Sequence, residues 1–323
     1  MSAYLWLIAA GSVLVFALYG LRCAKAVRLP ELRKHAWETA LLSFVFAAVF
    51  GLVLARAGYA LLMQELDFEY DGLAAFGQLL EIEIDRLSFL GGALGVLLGV
   101  TLANRLMRKG SVVPGLDAFA PFGALLAAVF RMGELFFGSY GVGSVLPEES
   151  AFSFFPFAVK ITVAGNYEYW CWAVCVLSAV FALIWAGISF FRLRSTGRAG
   201  FVFTLSLFFL ALPQVLCESL RKGSSMLWLF VHAEELLCAV VLLFVMLFWI
   251  LRSCKGFPFV RRWWPLGVLI LGVGLLVGVE FAIDGKYFEL IPSVCYLIMT
   301  AVLAAIGFAG AVAAKRWNLG ETK

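Results

Sequence analysis

The amino-acid sequence predicts an all-α integral membrane protein, a polytopic helical bundle of about nine transmembrane helices. Of its 323 residues, 63% are hydrophobic and only 14% are charged, whereas soluble domains are close to half apolar and a quarter charged. A helix needs about 20 mostly apolar residues to cross a bilayer, and runs of that length recur nine times along the chain. We place the nine spans at residues 3–21, 39–63, 87–107, 113–137, 168–191, 200–221, 226–251, 263–283 and 290–314.

The distribution of basic residues predicts how these spans are oriented. Lysine and arginine accumulate in the cytoplasmic loops of membrane proteins. The segments that follow the first, third, fifth, seventh and ninth spans hold 18 of the 25 basic residues of the chain. We therefore expect the N-terminus outside and the C-terminus inside.

Charge and cysteine content exclude several other classes. The net charge of +4 is small and spread along the chain, which argues against a nucleic-acid-binding surface. The seven cysteines are odd in number and lie mostly inside apolar runs, so we expect buried thiols and neither a disulfide framework nor a zinc site. No metal or other cofactor is predicted.

Two segments predicted to face outward are longer than a simple turn. Residues 64–86 carry seven acidic residues against one arginine. Residues 138–167 begin with three closely spaced glycines and continue with four phenylalanines, which predicts a small cap on the outer membrane face with its rings at headgroup level. These residues are Gly138, Gly141, Gly143, Phe152, Phe154, Phe155 and Phe157.

Ionisable residues inside the spans are concentrated on one side of the membrane. Each costs about 2.5 to 3.5 kcal/mol on insertion scales unless it finds a partner, a wet cavity or the interface. Arg56 lies in the outer half of the second span, and Arg131 and Glu134 lie at a similar depth in the fourth. The sixth and seventh spans add Glu218, Arg221, His232, Glu234 and Glu235 at the same level. The pattern predicts a polar cluster that opens toward the outer leaflet.

Semi-buried arginines favour a phosphate-bearing lipid as the ligand of this cluster, because guanidinium groups bind phosphate oxygens in pairs. Other readings stay open. Arg56 could reach outward and anchor its helix, and Arg131 could serve only as a packing partner of Glu134. His232 could form an interhelical hydrogen bond instead of acting as a base. Glu280, near the outer end of the eighth span, is expected to reach the interface.

Short motifs around these charges occur in the order seen in a known family. Residues 55–59 are similar to its Gly-Arg-x-Gly-Tyr, residues 87–95 to Ser-Phe-His-Gly-Gly-x-x-Gly, and residues 117–121 to Asp-x-x-Ala-Pro. Residues 131–138 stand where the family has Gly-Arg-x-Gly-Asn-Phe-x-Asn-Gly-Glu, and residues 214–221 where it has Arg-x-x-x-Glu-x-x-Arg. On these motifs the chain resembles the phosphatidylglycerol:prolipoprotein diacylglyceryl transferases, bacterial enzymes that make the first modification of lipoproteins.

The resemblance covers residues 1–255, the seven spans of the family, and leaves residues 256–323 as an additional transmembrane hairpin. It implies a multi-pass protein of the bacterial cytoplasmic (inner) membrane. It also implies transfer of a diacylglyceryl group from phosphatidylglycerol, or a similar anionic phospholipid, to the lipobox cysteine thiol of a prolipoprotein, with release of glycerol phosphate. The oligomeric state is left open.

The chain departs from the family motifs at several positions. Leu90 stands where the family has a histidine, Glu134 where it has the signature asparagine, and Ser139 where it has the signature glutamate. Gln214 takes the place of the first arginine of the sixth-span motif, and Glu235 that of a glutamine. We therefore expect the nearby His232 to be the candidate replacement for the missing imidazole.

The resemblance also implies roles for individual residues. Arg131 and Arg221 are expected to hold the phosphate, and Glu218 or His232 to accept the proton of the thiol. Arg56 is expected to orient the headgroup together with Tyr59. The remaining residues expected to bind substrate are Gly91, Gly92, Glu134, Gln214 and Glu235.

Two other functions compete with this transferase. One keeps the fold without the chemistry, as a lipid-binding or lipoprotein-escort membrane protein. The other is a transporter or flippase, but transporters of that sort show paired repeats with broken helices at mid-membrane. The sequence contains no convincing internal repeat, so this reading is the weakest of the three.

Overall fold

The computed structural model describes residues 2–26, 30–62, 86–107, 112–136, 141–147, 150–163, 167–193, 197–221, 227–228, 231–253, 258–283 and 292–319. Within these ranges lie nine helices that are long and apolar enough to cross a membrane, which confirms the predicted class and number. They are α1 (Ser2–Ala26), α2 (Pro30–Leu62), α3 (Phe89–Met107), α4 (Val112–Gly133), α5 (Val174–Arg192), α6 (Phe201–Leu220), α7 (Ala233–Ser253), α8 (Phe259–Ile283) and α9 (Pro292–Leu319).

Three predicted starts of spans were wrong. Helix α2 begins at Pro30 and not at 39, because a proline has the backbone angle required at the first helical position and the polar turn after it is helical too. Helix α5 begins at Val174 and not at 168, and α7 begins at Ala233 and not at 226. In both of these cases short strands occupy residues that the sequence assigned to the helix.

The strands form two antiparallel pairs. Strand β1 (Ala158–Val163) pairs with β2 (Tyr167–Trp172), and β3 (Leu227–Trp228) pairs with β4 (Val231–His232). Aromatic and β-branched residues dominate β1 and β2, and these residue types favour strands. A short apolar run does not by itself distinguish a strand from a buried helix, which explains the error.

The predicted cap, residues 138–167, contains β1, and the β1–β2 hairpin continues beyond it to Trp172. Its preceding segment, residues 141–147, runs beside β2, where the amide of Gly143 donates to the carbonyl of Trp172 (2.8 Å). The side chains of Phe152, Phe154, Phe155 and Phe157 are about half exposed. Their placement at headgroup level stays a prediction, and Gly138 and the acidic loop up to residue 85 lie outside the described residues.

Helices α2 and α3 pack backbone to backbone. A Cβ atom on Gly91 would collide with the carbonyl of Leu54, and one on Gly95 with the carbonyl of Phe50. Glycine at these positions therefore permits the close approach, as small residues do between membrane helices. The contact fixes the N-terminal end of α3 beside the last turns of α2.

Helix α4 is held to α6 at the end of the bundle that carries most of the basic residues. The carboxylate of Asp117 accepts hydrogen bonds from the amides of Gly200 (2.6 Å) and Phe203 (2.8 Å). These amides belong to the start of α6 and have no partner inside the helix. Gly200 has a φ of 87°, a left-handed conformation that suits glycine. Because α4 and α6 start together, their far ends also lie close together.

Helices α6 to α9 share one hydrophobic core, which includes Phe208, Trp249, Leu269 and Ile306. Helices α8 and α9 therefore pack on the rest of the bundle, and the division at residue 255 stays a prediction. All six cysteines within the described residues are buried, as predicted.

Candidate active site

Arg131 lies at the centre of a buried polar cluster at the predicted outer end of the bundle. Its side chain, in the last turn of α4, is only 2% exposed. Its Nη1 donates to Oε1 of Glu134 at 2.5 Å, and its Nη2 donates to Oε1 of Glu218 at 3.1 Å. Oε2 of Glu234 lies 3.7 Å from the same Nη2. One arginine thus meets carboxylates from three different segments.

Arg221, directly after the end of α6, shares two of these carboxylates. Its Nη2 donates to Oε2 of Glu134, and its Nη1 lies 3.6 Å from Oε1 of Glu218. The carboxylate of Glu134 therefore bridges the two arginines, with one oxygen on each. Glu134 lies in the short 3-10 turn that follows α4, which brings it between the ends of α4 and α6.

Gln214 lies one helical turn before Glu218 on α6 and donates from Nε2 to Oε1 of that carboxylate. Gln214 and Glu218 are both buried. Gln214 thus stabilises Glu218 by a hydrogen bond from a neutral group.

Glu234 connects the cluster to the start of α3. Its Oε1 accepts hydrogen bonds from Ser88 Oγ (3.2 Å) and from the amides of Phe89 (2.6 Å) and Leu90 (3.4 Å). A carboxylate at a helix N-terminus satisfies free amides and interacts favourably with the helix dipole. The phenyl ring of Phe89 lies 3.7 Å from the guanidinium carbon of Arg131, in a cation–π contact.

The contacts of Ser88, Phe89 and Glu234 were not predicted from the sequence. The motif that resembles the family begins at Ser88, but nothing in it indicates a partner on α7. The sequence offers one signal for this contact. The first turn of α3 has no acidic residue of its own, whereas Glu234 lies in the first turn of α7.

Arg56 and Tyr59 are both buried in α2, and the guanidinium carbon of Arg56 lies 5.9 Å from the centre of the Tyr59 ring. The carbonyl of the neighbouring Ala55 accepts from the amide of Ser88 at 3.0 Å. Because Ser88 in turn contacts Glu234, this part of α2 lies beside the cluster. These contacts do not test whether Arg56 binds a lipid headgroup, so that role stays a prediction.

The two glycines expected to bind substrate have different surroundings. Gly91 faces the backbone of α2, which accounts for a glycine there without a lipid. A Cβ on Gly92 would lie 3.5 Å from Cβ of Ala55, an ordinary contact distance. Their assignment to substrate binding stays a prediction.

Glu235 lies outside the arginine cluster, in the first turn of α7. Its buried carboxyl group lies near that of Glu280 on α8, and Oε2 of each residue is buried without a hydrogen-bond partner among the described residues. A hydrogen bond between two carboxyl groups requires a proton on one of them. Glu280 is half-buried near the end of α8, and its reach to the interface stays a prediction.

The backbone of His232 belongs to β4, immediately before α7. Its side chain lies outside the described residues, so its candidacy as a base stays a prediction. Ser139 also lies outside them. Leu90 packs against the core shared by α6 to α9 and supplies no titratable group.

The cap is joined directly to the cluster. Gly143 forms a backbone bridge with Arg221, and Gly141 packs against Glu134 so closely that a Cβ would lie 2.8 Å from the carbonyl oxygen of that residue. Gly141 and Gly143, at the start of the cap, therefore hold it against Glu134 and Arg221, the ion pair that joins the ends of α4 and α6.

A small cavity adjoins the cluster. A cavity of about 30 Å³ lies beside Arg131, between α3, α4, α5 and α6, and is lined by Phe89, Ser178, Gln214 and Cys217. This is room for a water molecule and not for a lipid headgroup. Within the described residues, the buried Nε atoms of Arg131 and Arg221 have no hydrogen-bond partner, so each arginine retains a donor for an incoming anion.

These features define the class of the protein as a multi-pass helical membrane protein with a charged site buried at one end of its bundle. The family model for prolipoprotein diacylglyceryl transferase matches residues 1–251, and the chain belongs to this family. Its members are transferases that act on phospholipid donors and prolipoprotein acceptors. No individual curated protein matches the sequence.

Proposed function

We propose that this chain transfers a diacylglyceryl group from a glycerophospholipid to the thiol of a lipobox cysteine, at the outer face of the bacterial cytoplasmic membrane. The resemblance stated above implies phosphatidylglycerol as the donor. The acceptor is a prolipoprotein whose cysteine reaches the cluster from the outer leaflet.

One observation carries the proposal. Arg131 and Arg221 direct their guanidinium groups to opposite oxygens of the same carboxylate, that of Glu134. A phosphodiester presents two oxygens in a similar way, and paired guanidinium groups suit such oxygens. The site is buried, so its electrostatic interactions are stronger than they would be in water.

The reaction forms one bond and breaks another. The cysteine sulfur attacks the glycerol carbon that carries the phosphate, the carbon–sulfur bond forms, and the carbon–oxygen bond to phosphate breaks. The leaving phosphate gains a negative charge, which Arg131 and Arg221 would stabilise. A thiol of ordinary pKa, about 8.5, needs a base or a positive field to become a thiolate. Glu218 or His232 would accept this proton.

The remaining residues would position the substrates. Arg56 and Tyr59 would orient the donor headgroup, Gly92 would allow a lipid chain to approach α3, and Gln214 would hold Glu218 in place. Glu235 lies beside Glu280 and directly follows Glu234 in the sequence, so it would contact a bound substrate only at the edge of the site.

A second candidate is a protein of the same fold that binds lipid without turning it over, as a lipid-binding or escort protein. Two observations favour it. Both terminal nitrogens of Arg131 are engaged by carboxylates, and Leu90 stands where the family has its histidine.

Complementation separates the two candidates. The chain is expressed in a bacterium depleted of its own diacylglyceryl transferase, and lipid labelling of a reporter lipoprotein is measured. We expect labelling to be restored by the unmutated chain and abolished by Arg131→Ala. Arg105→Ala serves as the matched control and should retain labelling. Arg105 is exposed in the last turn of α3, at the end of that helix away from the cluster.

Failure of the unmutated chain, at an expression level equal to that of the control variant, would contradict the transferase. Stable binding of phosphatidylglycerol by the purified protein without release of glycerol phosphate would then support the second candidate.

A further inference from the structure

The cavity beside Arg131 has polar groups in its wall. Its volume is about 30 Å³, and about 10 to 15 Å³ measured in this way is enough for one water molecule. Arg131 on α4, Ser178 on α5 and Gln214 on α6 all line it, and every residue of the wall belongs to the described part of the chain. A cavity with only apolar walls stays dry, whereas one that offers about two to four polar partners holds water.

The guanidinium group of Arg131 has one donor that the carboxylates do not use. Nη1 donates to Glu134 and Nη2 donates to Glu218. Nε is buried and has no hydrogen-bond partner among the described residues. A buried donor without an acceptor is costly, and more so on a charged group, so folded proteins rarely contain one. The donor at Nε therefore requires a partner.

Ser178 brings a second unsatisfied group to the wall of the cavity. A serine inside a helix commonly bonds the carbonyl oxygen one turn earlier. Oγ of Ser178 does not do so, because it is buried without a hydrogen-bond partner in the part of the chain that the structure describes. The thiol of Cys217 lies near it, but thiols form only weak hydrogen bonds. The hydroxyl group can thus both donate to and accept from a molecule in the cavity.

Pro213 frees a backbone acceptor in the stretch of α6 that lines the cavity. A proline inside a helix has no N–H to donate, so the carbonyl of Phe209, four residues earlier, loses its helical hydrogen bond. In membrane helices, ordered water is one of the partners that satisfy carbonyl groups freed in this way. Leu210 and Pro213, on either side of this break, both line the cavity.

We infer that the cavity is a binding site for an internal water molecule, which accepts a hydrogen bond from Nε of Arg131 and bonds the hydroxyl group of Ser178. Its remaining hydrogen-bonding capacity is available to the freed carbonyl on α6. Water-mediated hydrogen bonds are nearly as favourable as direct ones, so one molecule satisfies both buried groups. All three nitrogens of the guanidinium group are then held, and α5 is connected to the cluster. An incoming anion can still replace a neutral water on Nε.

This inference goes beyond the proposed function and does not depend on it. The test is NMR of the full-length protein in detergent micelles, deuterated on carbon and labelled with ¹⁵N in its arginine side chains. The Nε–H resonance of Arg131 is assigned by through-bond correlation with its backbone. In a rotating-frame Overhauser experiment, a bound water gives a cross-peak of opposite sign to the diagonal, whereas proton exchange with the solvent gives the same sign. We expect the cross-peak of opposite sign at the water frequency.

Two variants at position 178 locate the source of the cross-peak. Ser178→Ala removes the hydroxyl group, whose proton exchanges with water and would give the same signal, but it leaves room for the water, so the cross-peak should persist. Ser178→Val fills the cavity with methyl groups and should abolish the cross-peak. Ser189→Val is the matched control and should retain it. Ser189 is buried on the same helix, bonds Ser206 Oγ at 3.0 Å and does not line the cavity.

Absence of the cross-peak in the unmutated chain would overturn the inference. Its loss in Ser178→Ala would do the same, because the signal would then come from the hydroxyl group. Its persistence in Ser178→Val, or its loss in Ser189→Val, would show that the signal does not depend on this cavity and would also overturn the inference. If Ser178→Val does not fold, the unmutated chain and Ser178→Ala decide the question between them.

Discussion

Glu234 tests the claim that a side chain on α7 fixes the start of α3. Replacing Glu234 with alanine removes a hydrogen bond of 2.6 Å to the amide of Phe89 and one of 3.2 Å from Ser88 Oγ, as well as a weaker one at 3.4 Å. Hydrogen bonds to a charged group contribute about 1.5 to 3 kcal/mol each. Loss of one of three mutually repelling carboxylates offsets part of this.

We therefore expect Glu234→Ala to lower the free energy of unfolding by about 2 to 4 kcal/mol. Glu234→Gln keeps an oxygen that can accept from the amide of Phe89, so its cost should be about 1 kcal/mol. The assay is denaturation in mixed micelles of an ionic and a non-ionic detergent, followed by tryptophan fluorescence.

Glu168→Ala provides the control, because Glu168 forms an ion pair with Lys160 in which both side chains are about half exposed. Such surface pairs contribute about 0 to 1 kcal/mol. The reasoning is refuted if Glu234→Ala costs no more than Glu168→Ala. It is also refuted if glutamine costs as much as alanine at position 234, since the charge and not the hydrogen bonds would then be decisive.

Two further predictions use the same denaturation assay. Gly95→Ala should lower the free energy of unfolding by about 1 to 3 kcal/mol, because the added Cβ forces α3 away from α2. Gly278→Ala is the control: its Cβ would have no atom within 4 Å, so it should be neutral or stabilising because alanine favours helix. Equal effects of the two substitutions would contradict the backbone contact between α2 and α3. Glu280→Gln should leave stability unchanged, because its amide can donate to Glu235, whereas Glu280→Leu should cost about 1 to 3 kcal/mol by leaving that carboxyl group unsatisfied. A loss in Glu280→Gln as large as that in Glu280→Leu would contradict the pairing.

Much of the fold was predictable because a membrane span is defined by its own sequence. Twenty apolar residues must satisfy their backbone groups within the segment, so a helix is the only local solution. The prediction failed where this constraint ends. Residues 168–172 are mostly aromatic and lead directly into α5, yet they pair with β1, and a short aromatic run does not by itself distinguish the two outcomes.

The position of the polar cluster was predictable for a different reason. Alternating spans bring the ends of α4 and α6 and the start of α7 to one level, so Arg131, Glu218 and Arg221 fall together once the spans are counted. Pairing across the cluster was not predictable, because it depends on contacts between residues far apart in sequence. Ser88 and Glu234 illustrate this, being 146 positions apart.

The departures from the family motifs act together on the charge of the site. The resemblance described above implies Glu134 in place of an asparagine and Gln214 in place of an arginine, and both exchanges would make the cluster more negative. Read one at a time, each looks like the loss of a functional residue. In the structure they meet: Gln214 holds Glu218, and Glu218 and Glu134 share both remaining arginines. Glu134 and Gln214 therefore act on the same two arginines by different routes: Glu134 bridges Arg131 and Arg221 directly, whereas Gln214 holds the carboxylate of Glu218 that lies against both.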